Sequence, residues 1–232
     1  GHGPFSHTLE HTIVTGISHE QISLWMMKRM NEELDNKLDL AIRIFTNQYE
    51  KHFLHQLVSS QLDMDRLDYL SRDSFFCGVS EGIIGAARII KMLNLHDNKL
   101  VVEAKGIYSI EKFLVARRLM YWQVYLHKTS VAAEKMLTNI LKRAKELASN
   151  GEELFAPDAL RYFLYNKLTK DDFEKSEEAL DNFAALDDAD VMCAVKMWAA
   201  HTDKLLALLC RLFIDRKLFK VEIINDKDQG EA

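Results

Sequence analysis

Glycine and proline are scarce in this chain, which has only 9 Gly and 2 Pro in 232 residues. A fold with many β-strands needs these residues at its turns, so their scarcity argues against a β-sandwich or barrel. Most of the sequence instead carries apolar residues at three- and four-residue intervals, the period of an amphipathic helix. This pattern predicts a mainly α fold, with helical segments at 7–14, 19–35, 38–59, 63–76, 109–147 and 190–215.

The period changes in two places. Residues 89–95 and 99–104 are β-prone and flank His96-Asp97-Asn98, so they predict a small β-hairpin. Residues 217–224 also have the composition of a strand. Between these elements, Ser149-Asn150-Gly151 predicts the end of a helix and Pro157 the start of the next.

Charge and cysteine content exclude several classes of protein. The net charge is −5, whereas nucleic-acid binders usually carry a basic excess, so the composition disfavours a nucleic-acid partner, although a small local basic pocket stays open. Cys77, Cys193 and Cys210 are widely spaced and form no CxxC pair, which argues against a disulfide framework or a zinc ribbon. The apolar run 205–214 is too short to span a bilayer, and no signal peptide is visible. We therefore expect a cytoplasmic protein without a membrane partner.

The first polar cluster occupies residues 1–10, Gly-His-Gly-Pro-Phe-Ser-His-Thr-Leu-Glu. His7 and Glu10 are three residues apart and share a face of a helix, so the carboxylate can orient the imidazole. Glycines on both sides of His2 would let a phosphate approach the backbone closely. A capped helix start with incidental histidines explains the same residues equally well.

The second cluster is Asp63–Asp73, in which several acids, two arginines and Tyr69 fall on one helix. Such a helix is either a solvated face of ion pairs or a site that binds a metal through Asp and phosphates through Arg. The third cluster lies at 117–128, where Arg117, Tyr121 and Lys128 share a face with Tyr125 at its margin. Taken alone, this segment is better interpreted as a core helix with snorkelling cations than as the wall of a nucleotide site.

In this order and at these spacings, the three clusters resemble the HD-domain metal phosphohydrolases, and most of all their deoxynucleoside-triphosphate triphosphohydrolase branch. Residues 1–7 reproduce the end of the family motif His-Asp-x-Gly-His-Gly-Pro-Phe-Ser-His, and residues 18–21 are similar to a later histidine motif. Residues 63–73 match Asp-x-Asp-(Arg/Lys)-x-Asp-Tyr-x-x-Arg-Asp, and Tyr125-x-His127-Lys128 resembles the nucleotide-contacting helix. The resemblance covers roughly residues 1–145 and implies two regions. These are an HD core without its N-terminal helices at 1–147, and a helical extension with the start of a C-terminal lobe at 148–232.

The resemblance also implies roles for ten residues and a reaction. The implied metal ligand is Asp65, the acid–base group is His2, His7, Glu10 and His19, and the substrate contacts are Arg66, Tyr69, Asp73, Arg117 and Tyr125. The implied reaction is hydrolysis of a dNTP, such as dGTP, to deoxynucleoside and triphosphate. A divalent ion (Mn, Mg, Fe, Ni or Zn) would polarise the phosphate and activate water.

The chain departs from the family pattern at the metal site. The family's other ligands, an upstream His and a His-Asp doublet, are not among residues 1–232, and the His-Asp dipeptide at 96–97 lies in the predicted hairpin turn. We therefore expect activity from the full-length form, and weakened metal binding with little activity from this chain. The resemblance further implies a homodimer or homotetramer with a nucleotide effector. Two alternatives stay open: a non-catalytic nucleotide-binding or oligomeric module with the HD fold, and an HD phosphohydrolase that acts on another nucleotide. A nucleic-acid-binding protein is a third, which the net charge disfavours but the resemblance leaves open, because some members of the family bind single strands.

Overall fold

A computed structural model of the protein describes residues 16–222, and the predicted helix at 7–14 lies outside that range. Helices dominate the described chain, which confirms the mainly α fold class. In chain order they are α1 (His19–Glu33), α2 (Asp39–Phe45), α3 (His52–Val58), α4 (Met64–Cys77), α5 (Ala86–Met92), α6 (Ile107–Met120), α7 (Lys128–Ser149), α8 (Asp158–Tyr165), α9 (Lys170–Lys175), α10 (Glu177–Ala185), α11 (Asp188–Trp198) and α12 (Lys204–Ile214). No helix in this part of the chain is long and apolar enough to cross a membrane.

The predicted hairpin is confirmed. Strands β1 (Leu93–His96) and β2 (Lys99–Val102) pair antiparallel, with His96 opposite Lys99. Asp97 and Asn98 form the loop with φ of 47° and 61°, the left-handed conformation that a two-residue type I′ hairpin loop requires at both positions. The first strand is shorter than predicted. Residues 89–92 belong to α5, in which Ile89 is fully buried, and the second strand ends at Val102, two residues before the predicted end.

Three other sequence predictions need correction. The helix predicted at 38–59 is divided into α2 and α3, and Asn47 between them has a φ of 57°, which a helix cannot accommodate. The helix predicted at 190–215 is likewise two helices, since Asp203 caps the start of α12 after α11 has ended. Residues 217–222 of the strand predicted at 217–224 are not a strand, because the sheet described within residues 16–222 consists of β1 and β2.

The chain forms two compact units, each with its own core. The described residues of the terminal unit are 16–26 and 128–222, and the central unit is 27–127. These units are defined by packing. The predicted regions 1–147 and 148–232 are defined by the extent of the HD core, so the boundary at 147 stays a prediction.

The predicted helix boundaries near residue 150 are confirmed. Helix α7 ends at Ser149, Gly151 follows with a φ of 88°, and Pro157 directly precedes α8.

Aromatic side chains form the centre of the terminal unit. The Phe173 ring stacks on Phe163 at a centroid distance of 6.3 Å and on Trp25 at 5.9 Å. The Trp198 indole is buried and donates a hydrogen bond to the Phe155 carbonyl at 2.8 Å, so its polar atom is satisfied. This unit therefore has a hydrophobic core of its own.

In the terminal unit, Arg143 of α7 and Asp203 at the start of α12 form an ion pair, from which we predict that the stability of the fold depends on pH. The Arg143 hydrogen bonds, with the Leu206 backbone N–H adding to them, lower the pKa of Asp203 to about 2. A depressed carboxyl pKa stabilises the fold fully above the unfolded value of about 3.9 and loses that contribution as pH falls toward the folded value. We expect the free energy of unfolding to decrease between about pH 4 and pH 2, and Asp203→Asn to reduce that slope. Urea unfolding at a series of pH values tests this, and an unchanged slope in the variant would contradict it.

The central unit packs α4, α5 and α6 around a smaller core of Leu67, Leu70, Ile89, Phe113 and Met120. The loop after α4 crosses that helix closely at Gly82. A Cβ there would lie 2.5 Å from the Leu70 carbonyl oxygen and 2.7 Å from the Ser74 Cβ. Only glycine permits this approach, which helps to fix α4 in the unit that carries the candidate site.

Candidate functional site

Helix α4 presents three of the predicted substrate residues on one side. Its N-cap Asp63 accepts a hydrogen bond from the Arg66 backbone N–H at 2.8 Å, and Gly78 ends the helix with a left-handed φ of 69°. Leu67 and Leu70 are buried in the core. Positions 66, 69 and 73 are three and four residues apart, so they follow one another along a neighbouring face of the helix.

The facing elements are α6 and a π-helical turn at Tyr121–Tyr125. Within this turn the Leu126 N–H donates to the Tyr121 carbonyl at 2.7 Å, a five-residue step. Turns of this kind are rare in proteins as a whole, and many of those that occur lie at functional sites. Here the turn places the Tyr121 and Tyr125 rings edge to face, with centroids 5.2 Å apart.

Tyr125 joins the π-helical turn to α4. Its hydroxyl donates a hydrogen bond to the Asp73 carboxylate at 2.8 Å. Burial, the hydrogen bond to Asp73 and the charge of Asp73 together hold the pKa of Tyr125 far above its usual value. The phenol therefore stays protonated and remains a donor, which leaves the second Asp73 oxygen as an acceptor for another group.

Tyr69 is the third ring of an aromatic cluster with Tyr121 and Tyr125. Its ring meets Tyr125 edge to face at a centroid distance of 6.0 Å. Partial burial and the nearby Tyr121 raise the pKa of Tyr69, while Arg117, Arg66 and a hydrogen bond with Arg117 oppose the rise. Tyr69 therefore lies close enough to Tyr121 and Arg117 for their charges to affect its ionisation.

Arg117 is the cation of this group. Its Nη1 donates to the Gln61 Oε1 at 3.0 Å, and its guanidinium carbon lies 5.7 Å from the Tyr121 ring centroid. A guanidinium has five N–H donors, so these contacts and the hydrogen bond with Tyr69 still leave donors for an anion. A cation beside tyrosine rings and a carboxylate acceptor can bind a phosphorylated, hydroxyl-bearing ligand.

Arg66 is engaged differently. Its Nη1 donates to the Asp63 carboxylate and to the Ser60 carbonyl, the latter at 2.6 Å. Its Nε is buried without a hydrogen-bond partner among the described residues. In this arrangement Arg66 anchors the start of α4, and its predicted contact with substrate stays a prediction.

Asp65, the predicted metal ligand, is exposed in the first turn of α4 and makes no hydrogen bond or ion pair within residues 16–222. In the same range no group of three or more His, Cys, Asp or Glu side chains could hold a metal ion. One carboxylate does not satisfy a divalent cation. The described residues alone therefore do not fit a metal centre.

Of the four predicted acid–base residues, only His19 lies within the part of the chain that the structure describes. His2, His7 and Glu10 lie outside residues 16–222. His19 begins α1 in the terminal unit, where its Nε2 lies 3.1 Å from the Glu20 carboxylate. Their proposed cooperation stays a prediction.

Two residues of the group were not selected from the sequence. The sequence puts Tyr121 on the same helix face as Arg117, but the family resemblance assigns it no role. Gln61 precedes α4 and has no spacing that signals a function. Its contact with Arg117 joins residues 56 positions apart and depends on how α4 and α6 pack.

Comparisons with known proteins agree with the fold. The family model described as "HD associated region" matches residues 84–164. The chain is similar to a phosphohydrolase from Bacteroides thetaiotaomicron of known structure, with 61% identity and a TM-score of 0.92 over 98% of this chain and 58% of that one. It is 32% identical to the uncharacterized protein YwfO of Bacillus subtilis over 100% of this chain and 53% of that protein.

A third relative is named as a homolog of the deoxynucleoside triphosphate triphosphohydrolase SAMHD1, in Dictyostelium discoideum. It is 25% identical over 68% of this chain and 34% of that protein. The chain thus spans about half, or less, of these curated relatives. The matched HD-associated region and these relatives support an HD-domain phosphohydrolase, the family that the chain resembles.

Proposed function

We propose that the full-length protein is a metal-dependent phosphohydrolase of nucleotides, and that it hydrolyses a dNTP to deoxynucleoside and triphosphate. The observation that carries the proposal is the cross-helix group of Tyr69 and Asp73 on α4, Arg117 on α6 and Tyr125 in the π-helical turn. The name of the Dictyostelium relative supports the choice of a deoxynucleoside triphosphate.

Each member of the group has a task in this proposal. Arg117 binds phosphate oxygens through its remaining N–H donors. Asp73, with one oxygen held by Tyr125, accepts a hydrogen bond from a sugar hydroxyl through the other. The rings of Tyr69 and Tyr125 give the sugar an apolar surface and limit access of water from that side. These contacts orient the nucleotide before any bond breaks.

The proposal includes a divalent cation, to which Asp65 would contribute one carboxylate and residues outside 16–222 the remaining ligands. It also includes a cytoplasmic location, supported by three cysteines that are free. A homodimer or homotetramer with a nucleotide effector stays part of the proposal.

Product analysis tests the reaction. The full-length protein and residues 1–232 are each incubated with every dNTP and with Mn²⁺ or Mg²⁺, and phosphorus NMR identifies the products. We expect triphosphate and deoxynucleoside from the full-length protein and little turnover from residues 1–232. Pyrophosphate or orthophosphate in place of triphosphate would show cleavage at another bond, and no release from any nucleotide would reject the hydrolase proposal.

A second candidate is a nucleotide-binding module without catalysis. It rests on the contacts of Arg117 with Gln61 and of Tyr125 with Asp73, which can hold phosphate and sugar without breaking a bond. Equilibrium dialysis with labelled dGTP separates the two, because a module would bind the nucleotide and return it intact.

A further inference from the structure

Gln61 occupies a fixed position at the entry to α4. The residue before it, Ser60, donates its N–H to the Asp63 carboxylate at 3.2 Å, and its carbonyl accepts from Arg66 at 2.6 Å. The residue after it, Leu62, donates its N–H to the Ser60 hydroxyl at 3.2 Å. Because the backbone on both sides is held, the Gln61 side chain starts from a defined place although it is itself exposed.

From this place the Gln61 amide reaches Arg117. Its Oε1 accepts from the Arg117 Nη1 at 3.0 Å, while the Tyr121 ring lies beside the guanidinium carbon at 5.7 Å. An arginine side chain loses substantial rotamer entropy when a ligand immobilises it, and a guanidinium that is already held avoids part of that cost. These two contacts, together with the hydrogen bond between Tyr69 and Arg117, restrict the position of the guanidinium.

The chemistry of the holding group matters as much as its geometry. A carboxylate at position 61 would hold Arg117 more tightly, but it would also offset its positive charge. The neutral amide accepts the hydrogen bond and leaves the full charge for an anion. This combination is useful for an arginine that binds a ligand and has no advantage for one that only stabilises the fold.

We propose that Gln61 is a positioning residue that orients Arg117 toward a phosphate group without neutralising it, with the Tyr121 ring as the second support. The inference rests on the proposed function, since it concerns the same nucleotide site. It adds a residue that touches Arg117 and not the reacting atoms.

The test measures binding of inorganic tripolyphosphate, dGTP and deoxyguanosine to the full-length protein by calorimetry, together with KM and kcat for dGTP. The variants are Gln61→Ala, Gln61→Glu and Arg117→Ala, the last giving the complete loss of the cation. Gln123→Ala and Gln123→Glu are the matched controls. Gln123 is an exposed glutamine of the π-helical turn without a hydrogen bond among the described residues, so its Glu variant adds the same charge nearby.

We expect Gln61→Ala to weaken tripolyphosphate binding by about threefold to tenfold, the worth of one hydrogen bond. We expect Gln61→Glu to weaken it more, by about tenfold or above, because Arg117 is then neutralised. KM for dGTP should rise with little change in kcat, deoxyguanosine binding should be unaffected, and the Gln123 variants should resemble the parent. Thermal unfolding of Gln61→Glu should occur at or above the parent temperature.

The outcomes separate this inference from the proposed function. If the parent protein binds tripolyphosphate and the Gln61 variants bind it equally well, the inference is wrong and the proposed function stands. If Gln61→Glu binds as tightly as the parent and only unfolds at a higher temperature, Gln61 is structural and the inference is again wrong. A parent protein that binds neither tripolyphosphate nor dGTP overturns both. A parent that binds them, loses affinity in the Gln61 variants and releases no product supports the inference while rejecting the hydrolase.

Discussion

Asp65→Ala in the full-length protein is expected to abolish nucleotide hydrolysis while the fold stays intact. The carboxylate is exposed and has no partner within residues 16–222, so its removal breaks no packing and no hydrogen bond there. The loss of a negative charge near a helix N-terminus lowers the free energy of unfolding by only about 0.3–1 kcal/mol. If Asp65 supplies a metal ligand, kcat/KM should fall by about a thousandfold or more, equivalent to about 4 kcal/mol.

Asp68→Ala is the matched control for this prediction. Asp68 lies on the same helix, is exposed and forms an ion pair with Arg72. Exposed pairs of this kind contribute at most about 1 kcal/mol, so this variant should keep both the fold and the activity. Metal content per chain and initial rates are measured for the parent and both variants. Parental turnover and metal content in Asp65→Ala would show that the role assigned from the family resemblance is wrong.

Local signals predicted much of the fold. The helical period predicted α4 within one residue of each end of its observed span, and His96-Asp97-Asn98 marked the hairpin loop. The same signals missed the breaks at Asn47 and before Asp203. At these points a polar residue ends one helix or caps another inside a continuous apolar pattern. The pattern alone cannot distinguish one long helix from two that share a core.

The site was predictable only as far as single helices determine it. The spacing of residues 66, 69 and 73 follows from the helical period, whereas the bond from Tyr125 to Asp73 spans 52 positions and requires the packing of two elements. The contacts of Arg66 could not be predicted from its position on one helix either. The family resemblance gave it a contact with substrate, which stays a prediction, and only the packed structure shows that it binds the buried Asp63 carboxylate and a backbone carbonyl.

Asp63→Ala is expected to lower the free energy of unfolding by about 2–4 kcal/mol. The Asp63 side chain is almost completely buried and combines three interactions. It caps α4 through the Arg66 N–H at 2.8 Å, accepts from the Ser60 N–H at 3.2 Å and pairs with the Arg66 guanidinium. Alanine would leave these donors unsatisfied in a place that water reaches poorly, and the Arg66 Nε already lacks a partner there.

Two comparisons separate the parts of this effect. Asp63→Asn keeps an oxygen for the helix cap and removes the charge, so it should cost less than alanine, about 1–2 kcal/mol. Asp187→Ala removes a similar cap from α11, at an exposed position where Asp187 accepts from the Asp190 N–H at 3.0 Å, and should cost about 1 kcal/mol. Urea unfolding followed by circular dichroism measures all three variants.

The order of these costs determines what holds the entry to α4. If Asp63→Ala costs no more than Asp187→Ala, the cap alone matters, and the ion pair with Arg66 contributes nothing to stability. If Asp63→Ala costs clearly more and Asp63→Asn lies between, the buried charge holds Arg66, Ser60 and the chain around Gln61. The larger cost would then be accompanied by a raised KM for dGTP, because the residue that positions Arg117 depends on the same anchor.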